Sequence, residues 1–212
     1  MGDALGQQIV IENRVGGSTV IGTDAVAKAA PDGYTLGLAN PPTHAASAAL
    51  VPNLPFDPVK DFIPIAMIGS SPFVLIGSTQ VNAANLKAFV ALAKAQPGKL
   101  SYASAGTGTL AHLAGELFKL RAKVDIVHVP YKGSSELVQG LASGQVHFAF
   151  DGLITANSLV KLGKAKIIAV PDERRYPAAP DIPTLAEAGV PGKFATGGYH
   201  FFGPANVPPG AV

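Results

Sequence analysis

Ser101-Tyr102-Ala103-Ser104-Ala105-Gly106-Thr107-Gly108-Thr109 leads straight into Leu110, Leu113, Ala114 and Leu117. With Leu100 before them, Ser101, Tyr102 and Ala103 read as a short buried strand. The two glycines make a turn, and the apolar spacing after Thr109 is that of a helix. A strand that feeds a helix through a glycine turn is the basic unit of α/β folds. The same unit recurs on both sides. Apolar runs at 8–12, 34–39, 62–68, 73–77, 100–103, 126–129, 146–150, 166–170 and 199–202 read as strands. Between them, Asn85 stands as an N-cap for Leu86, Phe89, Val90 and Ala93, with Pro97-Gly98 ending that helix. Ser134 or Ser135 is the expected cap of a third helix over Leu137, Val138 and Leu141. A shorter helix is expected at 155–162, and a small Ala-rich one after Thr43-His44. The chain therefore reads as α/β.

Residues from about 101 to 193 hold four strand–helix units, enough for a core of their own. Gly197-Gly198 precedes a strand that can return to the first sheet. The sequence thus predicts two lobes, 1–100 with the return segment 197–212 and 101–196, joined by crossings at 99–101 and 195–198.

The composition agrees. Of 212 residues, 48% are apolar and 14% charged, against a usual charged share of about 25%, so the chain has material for a well-buried core. A net charge of +2 with dispersed signs offers no basic stripe to nucleic acid. The absence of cysteine excludes a disulfide scaffold, a Cys-ligated metal and thiol catalysis. No apolar run reaches the length of a membrane span. The first residues lack the basic and apolar regions of a secretory leader, and the Pro/Gly-rich finish gives the expectation of a chain trimmed at its ends.

Several chemistries can be set aside. No G-x-x-x-x-G-K-[ST] or G-x-S-x-G occurs. His44, His112, His128, His147 and His200 show no metal-ligand spacing. His128 and His147 alternate with apolar residues and are expected on a sheet face, and no carboxylate pair is placed for acid–base work. His112, two residues inside its helix, has two readings: a neutral ring reaching a bound anion, or a capping or surface residue.

What remains is the turn itself. A glycine-bearing strand-to-helix turn aims backbone N–H groups at one point, and the helix dipole favours an anion there. Ser104, Thr107 and Thr109 add hydroxyls. The turn also matches G-x-G-x-x-A at Gly106, Gly108 and Ala111, so a dinucleotide-binding oxidoreductase domain is the alternative. That fingerprint needs an acid at the end of the next strand, whereas Asp125 lies before it. Ligands of open α/β sheets sit beyond the carboxyl ends of strands, so Thr43, His44, the turn at 104–107 and Asp151 are candidates to face one crevice.

Longer stretches carry a resemblance over nearly the whole chain. Val10-Ile11-Glu12-Asn13-Arg14, Ala27-Lys28-Ala29-Ala30-Pro31-Asp32-Gly33-Tyr34-Thr35-Leu36, Leu54-Pro55-Phe56-Asp57-Pro58-Val59-Lys60-Asp61-Phe62, Ala95-Gln96-Pro97-Gly98-Lys99-Leu100-Ser101-Tyr102-Ala103-Ser104, His112-Leu113-Ala114-Gly115-Glu116-Leu117-Phe118, His128-Val129-Pro130-Tyr131-Lys132-Gly133 and Asp181-Ile182-Pro183-Thr184-Leu185-Ala186-Glu187-Ala188-Gly189 occur in order. In these the chain resembles the substrate-binding proteins of tripartite tricarboxylate transporters, the Bug or TctC-type receptors. The resemblance implies a two-lobed, Venus-flytrap fold of the type II periplasmic-binding class with mixed sheets, its first lobe incomplete here. It implies a periplasmic, monomeric, non-enzymatic receptor without cofactor or metal, handing a small mono- or dicarboxylate, aromatic acids included, to membrane transporter components. By position it assigns ligand contacts to Ser104, Ala105, Gly106 and Thr107, to Asp151, to Thr43 and His44, and to Tyr199. A folded remnant without transport function is the further alternative, since the family's first strand and glycine loop have no counterpart before Gly6.

Overall fold

Residue alternation along the central strands builds a sheet that is apolar on both faces. Val74 and Ile76 enter one buried cluster while Leu75 enters the other. Phe148 and Phe150 likewise part from Ala149, and Tyr102 from Ala103. Successive side chains of a strand point to opposite faces, so each strand supplies both cores.

The computed structural model describes residues 2–14, 16–40, 42–177, 179–192, 194 and 197–211, without the side chains of 18, 42, 43, 71, 197 and 211. In chain order the elements are α1 (Gly2–Leu5), a 3-10 turn (Gly17–Thr19), α2 (Val20–Ala27), β1 (Gly37–Ala39), a π-helical turn (Pro42–Ala46), α3 (Ser47–Leu50), β2 (Phe62–Ser71) and β3 (Phe73–Ser78). Then follow α4 (Leu86–Ala95), β4 (Ser101–Ser104), α5 (Leu110–Ala122), β5 (Val127–Pro130), α6 (Ser134–Ala142), β6 (Phe148–Gly152), α7 (Leu153–Lys161), β7 (Ala165–Ala169), β8 (Gly197–Pro204) and a 3-10 turn (Pro209–Ala211).

Two sheets result. The larger has the order β5-β4-β6-β3-β7 and the smaller β1-β8-β2. In the larger, β4 runs parallel to β5 and β6, whereas β3 is antiparallel to both β6 and β7. One face carries Phe89, Phe118, Phe148 and Phe150 with Tyr102. The other carries Leu137, Leu141, Ala156 and Leu159. The small sheet is antiparallel throughout, with β8 between β1 and β2.

Eight of the nine expected strands form. Residues 8–12 do not: they pair with no strand among the described residues, and Val10 and Ile11 are 85% and 82% exposed. An apolar run becomes a strand only where a neighbour completes its hydrogen-bond ladder. The cap of α6 is also corrected. It is Gly133, with Ser134 as the first helical residue and no side-chain cap bond.

The passage between sheets differs as well. The chain leaves the small sheet at Pro72, between β2 and β3, so residues 73–100 pair and pack with the larger unit rather than with the first. Proline has no N–H for a ladder, and β2 is already interrupted by register shifts at 64/66 and 67/69. Pro72 instead offers its carbonyl to the Leu153 amide at 2.8 Å. The return passage expected at 195–198 falls partly outside the described residues; β8 begins at Gly197 and rejoins the small sheet.

Candidate functional site

Since β4, β5, β6 and β7 share a direction, their carboxyl ends lie along one edge, marked by Ser104, Pro130, Gly152 and Ala169. The first three lead directly into α5, α6 and α7. Three helices of 13, 9 and 9 residues therefore begin at that edge. Each presents unpaired N–H groups and the positive end of its dipole, which makes the edge favourable to an anion.

The β4–α5 turn is the most built-up part of it. Gly106 and Gly108 adopt φ values of +131° and +82°, a region that side chains with a Cβ rarely enter. The fully buried Ser104 hydroxyl accepts from the Gly106 amide (3.2 Å), contacts the Gly106 carbonyl (3.0 Å) and meets His128 Nε2 at 2.7 Å. Thr109 caps α5: its Oγ1 accepts from His112 N and donates to the Gly106 carbonyl at 2.7 Å. His112 Nδ1 accepts the Gly108 amide at 3.1 Å. Of the two readings open for His112, capping is the one the structure adopts.

These bonds change what the turn can offer. The Gly106 and Gly108 amides, which a dinucleotide phosphate would use, are already engaged within the chain. The Ala105 amide has no acceptor among the described residues. Thr107 is exposed at the tip of the turn.

Behind the turn lies a polar stack. The ring of His128 is sandwiched between Tyr102 and His112, with centroids 4.8 and 4.2 Å away. The Tyr102 hydroxyl donates to Glu116 Oε1 at 2.7 Å, and Lys119 reaches the same oxygen at 2.9 Å. Burial pushes the Tyr102 phenol up, and the Glu116 carboxylate adds to this. Burial opposes the charge on Glu116 too, but Tyr102 and Lys119 together hold it below the usual carboxylate value. Burial lowers both imidazoles. His112 falls below the ordinary histidine value, and His128 is pushed down to about 4, with neighbouring His112 contributing. Both are neutral at pH 7.

The sequence placed His128 only on a sheet face and missed its bond to Ser104. The signal was available: in a parallel β4–β5 pair, His128 stands beside Tyr102 and one diagonal step from Ser104.

The other expected residues divide. Asp151 stands next to last in β6, at the same edge as Ser104, but alternates onto the opposite face, the one shared by Ala149 and Val74. Its Oδ1 accepts the Gly152 amide at 2.7 Å, and its buried Oδ2 has no partner among the described residues. Burial raises its pKa above the usual aspartate value, the Gly152 amide partly offsetting this. Thr43 and His44 belong instead to the π-helical turn beside the small sheet. The Thr43 side chain lies outside the described residues. His44 packs edge-on against Phe62 and Phe202 at 4.7 and 4.8 Å, and burial lowers its pKa. Tyr199, 40% exposed, is on β8 opposite Gly69. So the structure brings Ser104, Ala105, Gly106 and Thr107 to one edge with Asp151, and puts Thr43, His44 and Tyr199 with the other sheet.

Comparison with known proteins narrows the reading. The family model described as tripartite tricarboxylate transporter family receptor, TctC, matches residues 1–212. The chain is 36% identical to Protein BugT of Bordetella pertussis over 208 residues, which are 98% of this chain and 64% of that protein. It thus spans under two thirds of that relative's length. Among solved structures it is similar to the R. palustris protein Rpa4515 with adipate, with a TM-score of 0.95 and 33% identity over 99% of this chain and 70% of that one. It is also similar to MatC of Rhodopseudomonas palustris with bound malate, with a TM-score of 0.90 and 34% identity over 99% and 71%.

Proposed function

Since the chain belongs to the tripartite tricarboxylate transporter receptor family, TctC, we propose that it is a periplasmic receptor. It captures a small mono- or dicarboxylate and delivers it to the membrane components of such a transporter. One observation carries the reading. Three helices start along the edge at Ser104, Pro130 and Gly152, beside a glycine turn whose Ala105 amide has no acceptor among the described residues. That is where a carboxylate gains most from fixed dipoles.

The magnitudes agree. A micromolar ligand needs about 8 kcal/mol, and a hydrogen bond to a charged group contributes about 1.5–3 kcal/mol. Three or four such bonds with some apolar burial suffice, and no bond is made or broken. That relatives of this fold were solved with adipate and malate supports a dicarboxylate. Ser104, Ala105, Gly106, Thr107 and Asp151 form the larger sheet's half of the proposed site, and Thr43, His44 and Tyr199 the smaller sheet's half.

A thermal-shift series with adipate and malate, and NAD as control, tests this. A ligand that binds only the folded state raises the Tm as its concentration passes Kd. Dose-dependent stabilisation by either acid, with the acid recovered unchanged, is the expected result. Stabilisation by NAD alone would replace the receptor reading with the dinucleotide one.

A further inference from the structure

The turn at the carboxyl edge is held from behind by two histidines, and the bonds dictate their charge. His112 Nδ1 accepts the Gly108 amide at 3.1 Å, so that nitrogen carries a lone pair and any proton of the neutral ring is on Nε2. Adding a proton to Nδ1 would set two N–H groups against each other and break the bond. His128 lies face to face with His112 at 4.2 Å and contacts the Ser104 hydroxyl at 2.7 Å. That hydroxyl in turn engages both the amide and the carbonyl of Gly106. Each histidine thus fixes one of the two glycines on whose left-handed backbone the turn depends.

Resting on the reading of this turn as a carboxylate site, we propose that His112 and His128 are positioning residues. His128 fixes Ser104 and Gly106 and neutral His112 fixes Gly108, so that protonation of His112 releases the turn and weakens the ligand. The groups facing the pair are Glu116 and Lys119 from α5 and Tyr102 and Ser104 from β4. Glu116 favours the imidazolium, but its carboxylate is already shared by Tyr102 and Lys119. Burial and Lys119 oppose the imidazolium. The balance keeps the turn formed at neutral pH and puts its release on the acid side of the ordinary histidine value of about 6.5.

Two readouts separate this proposal from the one it rests on. The first needs no ligand: amide NMR of the full chain from pH 8 to 4.5, following Gly106 and Gly108. Wild type is expected to show both resonances moving with the imidazole titration. In His112→Asn, whose Oδ1 can replace Nδ1 as acceptor without titrating, Gly108 is expected to stay fixed. The second is adipate titration calorimetry. Because adipate itself takes up protons in this range, the ratio of wild-type to His112→Asn affinity is read. It is expected to fall at least fivefold from pH 7.5 to 5. His112→Phe keeps the stacked ring without the acceptor and is expected to bind roughly tenfold more weakly at pH 7.5. His112→Asn is expected to recover most of that loss. Glycine amides indifferent to the histidine titration, or a wild-type to His112→Asn ratio constant with pH, would overturn the positioning role. Absence of adipate and malate binding at every pH, with the amides still following His112, would overturn the ligand reading alone.

Discussion

The two sheets of this molecule are built to different standards. The five-stranded unit is apolar on both faces, and its largest side chains, Tyr102, Phe89, Phe118, Phe148 and Phe150, are fully buried. The three-stranded unit has a thin core of Val26, Ala39 and Phe202, extended by Phe62. Its strands leave Leu38 57% and Met67 63% exposed. The difference shows where precision resides. In the larger unit, packing fixes the strand ends and hence the turn at Ser104. In the smaller, an aromatic group of Phe56, Phe62, Phe202 and His44 with edge-on contacts of 4.7–5.4 Å does most of the fixing.

The largest expected effect tests that contrast directly. Phe118 touches Phe89, Phe148 and Phe150 at ring separations of 5.8–6.1 Å with no exposure. Phe118→Ala should cost about 3–5 kcal/mol, lowering the Tm by roughly 10 °C. The partly exposed Phe62, replaced by alanine, should cost no more than about half as much. Equal losses in thermal melts would erase the distinction between the units.

Ser104→Ala comes next. It removes a hydroxyl that meets the amide and carbonyl of Gly106 and His128 Nε2, and leaves the part-buried Gly106 amide and His128 Nε2 wanting a partner, while Thr109 still serves the Gly106 carbonyl. Such a loss costs about 1–3 kcal/mol, and adipate affinity is expected to fall roughly tenfold by calorimetry. Unchanged affinity would move the weight of recognition to Thr43, His44 and Tyr199 on the smaller unit.

Helix starts supply a finer comparison. In the larger unit Asn85 caps α4 by accepting Ala88 N at 3.0 Å, and Asn85→Ala should lower stability by about 1 kcal/mol. In the smaller unit Thr19 precedes α2 at a φ of +80° with no side-chain cap bond and a buried Oγ1 that has no partner among the described residues. A β-branched residue is strained there. Thr19→Gly is expected to raise the Tm by about 2 °C, relieving strain of order 1 kcal/mol. A fall would mean that the Thr19 side chain contributes more than its conformation costs.

Most of this was legible in the residues, and the parts that were not have physical reasons. Strands and helices of the larger unit follow from period and caps, since Asn85 and Thr109 both cap as their types suggest. The apolar run at 8–12 misled because alternation cannot report a missing partner strand. The sheet boundary does not fall at 99–101, where the count of strand–helix units puts it, because a run of units cannot report that Pro72 breaks the ladder earlier and sends β3 into the larger sheet. At the site, position along the chain located the Ser104 turn. It could not tell that His112 and Ser104 would occupy the Gly108 and Gly106 amides, a matter of rotamers within a parallel pair of strands and the helix above it.

The smallest effect concerns a place where the larger unit is poorly satisfied. Asp151 buries a carboxylate whose Oδ2 finds no partner among the described residues, with only the Gly152 amide on Oδ1. Its folded pKa is raised by burial, so the folded state binds the proton more tightly than the unfolded chain. The charge therefore opposes folding increasingly as pH rises from the unfolded aspartate value through the raised one, and the penalty is complete above it. Asp151→Asn keeps an oxygen for Gly152 and replaces an unpartnered charge by an unpartnered neutral group, which costs less to bury. The Tm should rise by about 2 °C at pH 7.5, with the gain narrowing as the pH is lowered to 4.5. The same change takes a negative charge from an edge proposed to hold a carboxylate, so adipate affinity at pH 7.5 is expected to rise by about two- to threefold. A gain in Tm with a loss of adipate binding would instead make Asp151 an acceptor for a hydroxyl or ammonium on the true ligand, and would place specificity on the face of the sheet opposite Ser104.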